Sequence, residues 1–156
     1  MKRRKYRGLG MKEIMEHLIG FLSSGTVVNN ATQVIITSLL ELFAILTSYI
    51  HILWVRTVDG QIETQLCYSA TLCYNTFPFS CISEHQCEEL FDLALQVLFQ
   101  REMLPEKTLA GLYDPDKISV ELKGAHHQLD FAVESCYRSN PFESNEERLK
   151  YLFHIL

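Results

Sequence analysis

The sequence predicts an α+β fold, with a mixed α/β subdomain over residues 1–80 and an all-helical subdomain over residues 81–156. Three observations predict it. Between residues 26 and 36 the chain is rich in Val, Ile and Thr, side chains that suit a pleated, half-buried surface. From 37 to 57, apolar residues recur at the 3, 4, 3, 4 spacing of one helix face. Beyond residue 81, helix-start signals and helical spacing take over. With 47% apolar and 21% charged residues in 156, the composition is that of a globular chain able to bury a modest core.

Residues 1–10 read as an arm. Met11 to Leu22 shows loose helical spacing, broken by Gly20 and by Ser23-Ser24-Gly25. Thr26 to Ile36 is predicted as a strand interrupted at Asn29-Asn30. The 37–57 helix carries Leu39, Leu42, Phe43, Leu46, Ile50, Leu53 and Trp54 on one face, and Asp59-Gly60 ends it with a turn. Gln61 to Tyr74 is expected to be extended, with Ile62, Leu66 and Tyr68 in partial alternation. Asn75 to Ser80 contains Pro78 and is expected to be irregular.

In the second half, Ser83 with Gln86 makes a capping box that opens a helix to about Gln100. Pro105 to Leu112 is a short helix or turn, and Tyr113-Asp114-Pro115-Asp116 a loop. Ser119 to Arg138 is a longer helix with Leu122, His126, Leu129, Val133 and Cys136 near one stripe. Adjacent helix positions point about 100° apart, so His126 is expected in the core and His127 at the surface. Ser144 with Glu147 is a second capping box, before a last helix to Leu156.

The net charge of -5 hides an asymmetry. Residues 1–10 hold five basic groups (Lys2, Arg3, Arg4, Lys5, Arg7) and no acid, leaving nine basic against nineteen acidic groups, a net of -10, for the rest. Only the N-terminal end is built to meet a polyanion. The five cysteines are an odd number, and the basic start is not followed by an apolar run with a small-residue cleavage site. Free thiols in reducing cytosol are expected.

Candidate chemistry is sparse. Val34 to Val55 is long enough to span a bilayer and holds one charge, Glu41, but His51 and several Ser/Thr residues favour a buried helix. Cys81, His85 and Cys87, with Cys73 upstream, lack the tight Cys pairs that zinc prefers. Pro115-Asp116 followed by Glu121-Leu122-Lys123 mimics a metal-nuclease pattern, with its halves only a few residues apart. No nucleophile elbow, P-loop or dinucleotide fingerprint is present, so no catalytic, cofactor-binding or metal-binding residue is expected. Alternation on the extended segment puts Glu63, Gln65 and Cys67 on one face. Glu can accept from cytosine N4 and Gln can pair with adenine in the major groove; the same face also suits plain solvation.

The stretch LTSYIHILWVRTVDGQIETQLCYSATLCYNTFPF (Leu46–Phe79) resembles the end of the target-recognition domain of MmeI-like, type IIL restriction–modification enzymes. The resemblance rests on a helix of the form LxSxxHxxWVR (Leu46, Ser48, His51, Trp54, Val55, Arg56), then Gly60, a variable segment, Tyr68-Ser69-Ala70 and Tyr74-Asn75-Thr76-Phe77-Pro78. Lys107–Arg138 and Pro141–Phe153 resemble the C-terminal helical domain of the same family. Together the likeness covers about residues 19–156.

That resemblance implies a DNA-reading subdomain serving a methyltransferase that moves a methyl group from S-adenosylmethionine to adenine N6. It implies base readers at Asn30 and Ala31 and at Glu63, Gln65 and Cys67. Asn and Gln suit adenine, Glu suits cytosine, and Ala and Cys offer apolar contact. Arg3, Arg4, Lys5, Arg7 and Arg56 would meet the phosphates of double-stranded DNA, and Trp54, Tyr68, Tyr74 and Phe77 would pack. The chain holds no N-P-P-Y and no glycine-rich cofactor loop. S-adenosylmethionine would therefore bind in the parent enzyme, and a separate chain or domain would supply methyltransferase and nuclease. The chain is then expected to be a split or truncated piece. The competing readings are a small nuclease using Asp116, Glu121 and Lys123, a membrane anchor at Val34–Val55, and a gene remnant without function.

Overall fold

Among the described residues, six α-helices and one π-helical turn form the regular structure: α1 (Leu40–Thr47), α2 (Tyr49–Val58), the π-turn (Ala70–Tyr74), α3 (Glu84–Glu102), α4 (Leu109–Leu112), α5 (Val120–Ser135) and α6 (Asn145–Ile155). The computed structural model describes residues 19–22, 26–27, 34–35, 37–58, 68–114 and 116–156. Among these residues there is no strand, which overturns the α+β expectation and its mixed α/β subdomain. The β-branched residues near the start show why propensity misled: Val27 is 95% exposed and Val34 54%. Such side chains favour a strand only when a neighbouring strand and a buried face receive them. The expected strand positions 28–33 and 61–67, and the N-terminal arm, lie outside the described residues.

The expected 37–57 helix is two helices, bent by 59° at Ser48. Ser48 has extended backbone (φ -73°, ψ 156°), and both its N–H and its hydroxyl donate to the Ile45 carbonyl, at 3.1 and 2.6 Å. Its own carbonyl accepts the first bond of α2, from the Ile52 N–H. The hydroxyl therefore competes successfully for a carbonyl that would otherwise carry the helix on. Among the described residues no single helix is long and apolar enough to cross a membrane; the α1–α2 pair reaches that length only as a bent pair. Most of the apolar run, from Phe43 to Val55 except Tyr49, is buried inside the protein.

The second half follows its local signals. The Ser83–Gln86 box forms in both directions and opens α3. Ser119 caps α5 through the Leu122 N–H, and Thr108 caps the short α4 through Gly111. α3 packs mainly on α5 and α1, while α2 touches the π-turn, α5 and α6. One core results, to which α1 and α2 give Phe43, Ile50 and Trp54, and α3 and α5 give Leu90, Val97, Leu122, Leu129 and Val133. Each such side chain contributes about 1.5–3 kcal/mol by leaving water. Phe77 plugs the seam edge-on, with ring centroids 4.8 Å from His51, 6.2 Å from Trp54 and 6.3 Å from Tyr137. Trp54 also meets Phe153 of α6 at 5.0 Å.

Candidate functional site

The expected base readers Asn30, Ala31, Glu63, Gln65 and Cys67, and the arm residues Arg3, Arg4, Lys5 and Arg7, lie outside the described residues. The structure does describe the platform on both sides of the 59–67 segment. α2 leads into it at Val58, and Tyr68 follows it. Arg56 stands in the last turn of α2, where a cation complements the helix dipole, and is half-buried.

The start of α2 is held from the C-terminal half. The bend leaves the Tyr49 N–H without an intrahelical acceptor, and Asp130 of α5 accepts it at 2.8 Å. The Tyr49 hydroxyl donates to Asn145 Oδ1 at 2.8 Å, and the Arg148 guanidinium lies 5.4 Å from its ring centroid. Burial pushes the Asp130 carboxyl up to about 7; the Tyr49 N–H opposes this, the nearby Glu134 adds to it and Arg148 opposes it. Arg148 itself grips Glu134 with two bonds of 2.6 and 3.0 Å, a buried bidentate pair joining α6 to α5.

Two residues into α2, His51 is fully buried. Its Nδ1 lies 2.9 Å from the Leu46 carbonyl, across the bend, and its Nε2 lies 3.4 Å from the Tyr68 hydroxyl. With Nδ1 protonated toward the carbonyl, Nε2 is the acceptor for Tyr68. Burial, followed by the nearby Cys73 and Tyr74, keeps the Tyr68 hydroxyl protonated well above the usual tyrosine range. Beyond it, Ser69 caps the π-turn by accepting from the Leu72 N–H, and the Asn75 N–H closes the turn on the Ala70 carbonyl. The extended conformation expected to run to Tyr74 therefore gives way to a helical turn at Ala70, with Cys73 buried beneath it.

A second polar knot lies deeper in α5. His126 is buried and His127 exposed, as their adjacent positions predict. The Tyr113 hydroxyl is 2.5 Å from His126 Nε2 and accepts from Arg101 Nε at 2.7 Å, while Arg101 Nη1 donates to the Ile19 carbonyl at 2.7 Å. Burial drives His126 down to about 3, so the imidazole stays neutral.

Asp116 sits in a turn where its N–H donates to Asp114 Oδ1, and Lys117 pairs with Asp114 at 3.0 Å. Among the described residues no group of three or more His, Cys, Asp or Glu side chains could hold a metal ion, the Cys81–His85–Cys87 set included. Cys81, Cys87 and Cys136 are free thiols, and burial pushes Cys136 up to about 11. A shallow cavity is lined by Glu41, Cys87, Glu88, Phe91 and Asp92. Its three carboxylates would repel a phosphate backbone, so this side of α3 is unsuited to nucleic acid.

Two successive family models match this chain. The model of the MmeI target recognition domain matches residues 17–81, and that of the MmeI C-terminal domain matches residues 82–156. The chain belongs to the MmeI family. DNA methyltransferase A of Bacillus subtilis (strain 168) is 41% identical over 137 residues, covering 88% of this chain and 16% of that protein. The solved structure of the Type IIL restriction-modification enzyme MmeI in complex with DNA is 38% identical with a TM-score of 0.70. It covers 74% of this chain and 16% of MmeI. The chain thus spans about a sixth of the length of either relative. In MmeI-family terms, α1, α2 and the π-turn belong to the target recognition domain, and α3 to α6 to the C-terminal domain.

Sequence reasoning missed the contacts between these two regions. Asp130 stands on the inner face of α5 between His126 and Val133, and an acid on an otherwise apolar stripe is a visible signal of a buried partner. Nothing in the sequence says that the partner is the Tyr49 N–H, because that donor is freed only by the break at Ser48.

Proposed function

We propose that this chain reads the base sequence of double-stranded DNA for an S-adenosylmethionine-dependent adenine-N6 methyltransferase of a type II restriction–modification system. The observation that carries the reading is the succession of two MmeI family matches, target recognition then C-terminal domain, from residue 17 to residue 156. The DNA-bound MmeI structure and the methyltransferase relative support the ligand and the chemistry served. Asn30 and Ala31, with Glu63, Gln65 and Cys67, read base edges; Gln65 and Asn30 suit adenine and Glu63 suits cytosine N4. Arg56 and the basic residues Arg3, Arg4, Lys5 and Arg7 contact phosphates and fix the register. The chain works in the cytoplasm and is itself non-catalytic. Methyl transfer and S-adenosylmethionine binding belong to a separate methyltransferase chain or domain.

The test is selection of bound duplexes from a random library by the full chain at low salt. Enrichment of one short site, with binding that weakens steeply as salt rises, is expected. Gln65→Ala is then expected to lose about 1–3 kcal/mol of discrimination at one base pair. An unchanged preference, or an equal loss on all sequences, removes the base-reading role from Gln65. If the wild-type chain enriches no sequence, the reading itself fails. Co-expression with a methyltransferase chain carrying N-P-P-Y tests the second half, since adenine methylation should then follow the selected site.

A further inference from the structure

We propose that the outer face of α3 docks the separate methyltransferase chain, through a surface of that chain that is apolar with a basic rim. The proposal rests on the reading above that such a chain supplies the catalysis.

α3 buries one side and leaves the other open. Leu90, Ala94 and Val97 are buried in the core, whereas Phe91, Leu95, Phe99 and, at the C-cap, Met103 are between 43% and 59% exposed. Their spacing of four places them in one ridge along the helix, the kind of ridge that fits a groove on another helix. An exposed helix position needs no apolar side chain, since Gln or Lys forms helix as well. The ridge leaves roughly 400 Å² of apolar surface in water, taking each large side chain as about 200 Å². Surface patches of that size often serve a partner.

Charge decides which partner. Every Asp and Glu of α3 (Glu84, Glu88, Glu89, Asp92 and Glu102) is exposed. Glu41 of α1 joins Glu88 and Asp92 around the cavity beside Phe91. The single Arg of α3, Arg101, is turned inward, to the Tyr113 hydroxyl and the Ile19 carbonyl. The carboxylates repel DNA phosphates. They also oppose a second copy, since a two-fold contact would set this acidic face against itself. A surface with Lys and Arg around an apolar centre answers both the ridge and its charge. The relatives hold the matched region in chains about six times as long. A catalytic chain that works with this one has to meet it across a surface that the core leaves open, and the α3 face is such a surface.

The test is binding of the full chain to a purified methyltransferase chain carrying N-P-P-Y, encoded in the same genome, by biolayer interferometry at several salt concentrations. Leu95→Gln and Phe99→Gln place a good helix former at exposed positions, so each should melt as the wild type does. Each is expected to weaken binding about tenfold. Glu88→Lys combined with Asp92→Lys reverses the rim. Association of that variant should be about tenfold slower at low salt and should no longer slow as salt rises. Phe131→Gln, on the exposed side of α5, should bind as the wild type does. Duplex selection should be the same in every variant.

A wild-type chain that enriches a duplex but does not bind the methyltransferase chain overturns the docking face. So does binding that the α3 variants leave unchanged, or an equal loss in Phe131→Gln. A wild-type dimer in sedimentation that Leu95→Gln makes monomeric gives the face to a second copy. Altered duplex selection in the α3 variants gives it to DNA. A melting temperature that falls when the rim is reversed gives it to the basic residues of the chain itself. Failure of the DNA reading shows separately, as a wild-type chain that binds the methyltransferase chain but enriches no duplex.

Discussion

His126 and Asp130 stand one turn apart on α5, and each fixes a different half of the broken helix pair. His126 works through a relay, by way of Tyr113 to Arg101, whose guanidinium lies 5.3 Å from the Phe43 ring centroid on α1. Asp130 works directly, by accepting the first N–H of α2. Burial holds both uncharged, but across different ranges: the imidazole is neutral down to about 3, whereas the carboxyl is protonated only up to about 7. One turn further on, Glu134 meets Arg148 in a buried pair that joins α5 to α6. The difference between these contacts is therefore in how each responds to deletion and to pH.

The charged pair should be the most sensitive to removal of one partner. Arg148→Ala leaves the Glu134 carboxylate buried without its guanidinium, at an expected cost of about 3–5 kcal/mol. It also removes the cation beside Asp130 and Tyr49, so α2 should loosen together with α6. Urea unfolding followed by far-UV circular dichroism measures the loss. A loss below about 1 kcal/mol would mean that the pair is solvated in solution and contributes like a surface ion pair.

Asp130 gives the next effect, and its sign is fixed by its shift. Its folded pKa of about 7 lies above the ordinary 3.8, so the folded state holds the proton more tightly than the unfolded chain. The associated stability is fully present below about pH 4 and is lost as pH rises toward 7. Asp130→Asn keeps an oxygen to accept the Tyr49 N–H but does not titrate. The variant should therefore gain on the wild type as pH rises, by on the order of 2 kcal/mol after allowance for partial solvent access. His126 runs the other way on acidification. Its folded pKa lies below 6.5, so the unfolded chain takes up the proton and stability falls as pH drops from 6.5 toward 3. Parallel stability–pH curves for the wild type and Asp130→Asn would contradict the buried, protonated carboxyl.

Tyr113→Phe tests the relay. It removes the hydroxyl that lies between Arg101 Nε and His126 Nε2, and both partners are then left to find other contacts. About 1–2 kcal/mol is expected, less than for Arg148→Ala because no charge is stranded in the core. The loss should hold at neutral pH, where His126 is neutral in both states.

These contacts mark what could be read from the sequence. The α3, α5 and α6 starts, the core-facing Leu122, His126, Leu129 and Val133, and the outward His127 were legible, because caps and helical spacing are local. The break at Ser48 was not. Leu46, Ile50, Leu53 and Trp54 keep 3–4 spacing straight through it, and the acceptor that stabilises it, Asp130, lies 81 residues away. The α/β expectation failed for a related reason, since Val27, Val34 and Ile35 have strand propensity but remain exposed. For the candidate site, the family likeness was legible in the motifs, while the expected base readers lie outside the described residues. The frame around the site was not legible, because Tyr49, Asp130, Asn145 and Arg148 come together only through the bend.

The smallest expected effects come from the two capping serines, and they compare the regions once more. Ser83 and Gln86 exchange bonds in both directions at the start of α3: the Gln86 N–H donates to Ser83 Oγ at 3.3 Å, and the Ser83 N–H to Gln86 Oε1 at 2.9 Å. At α6 only half of the expected box forms. Ser144 Oγ accepts from the Glu147 N–H at 3.1 Å, but the Glu147 carboxylate turns to the Glu143 N–H at 2.7 Å and to Arg138 at 2.8 Å. Those two partners, the N–H first, hold Glu147 below the usual carboxylate range. Ser83→Ala and Ser144→Ala should each cost about 1 kcal/mol or less. Only Ser144→Ala should disturb α2, because its neighbour Asn145 accepts the Tyr49 hydroxyl. Hydrogen exchange of the α2 amides separates the two variants: faster exchange in Ser144→Ala alone supports a frame reaching from α6 to α2. Equal exchange in both would confine that frame to Asp130 and the Glu134–Arg148 pair.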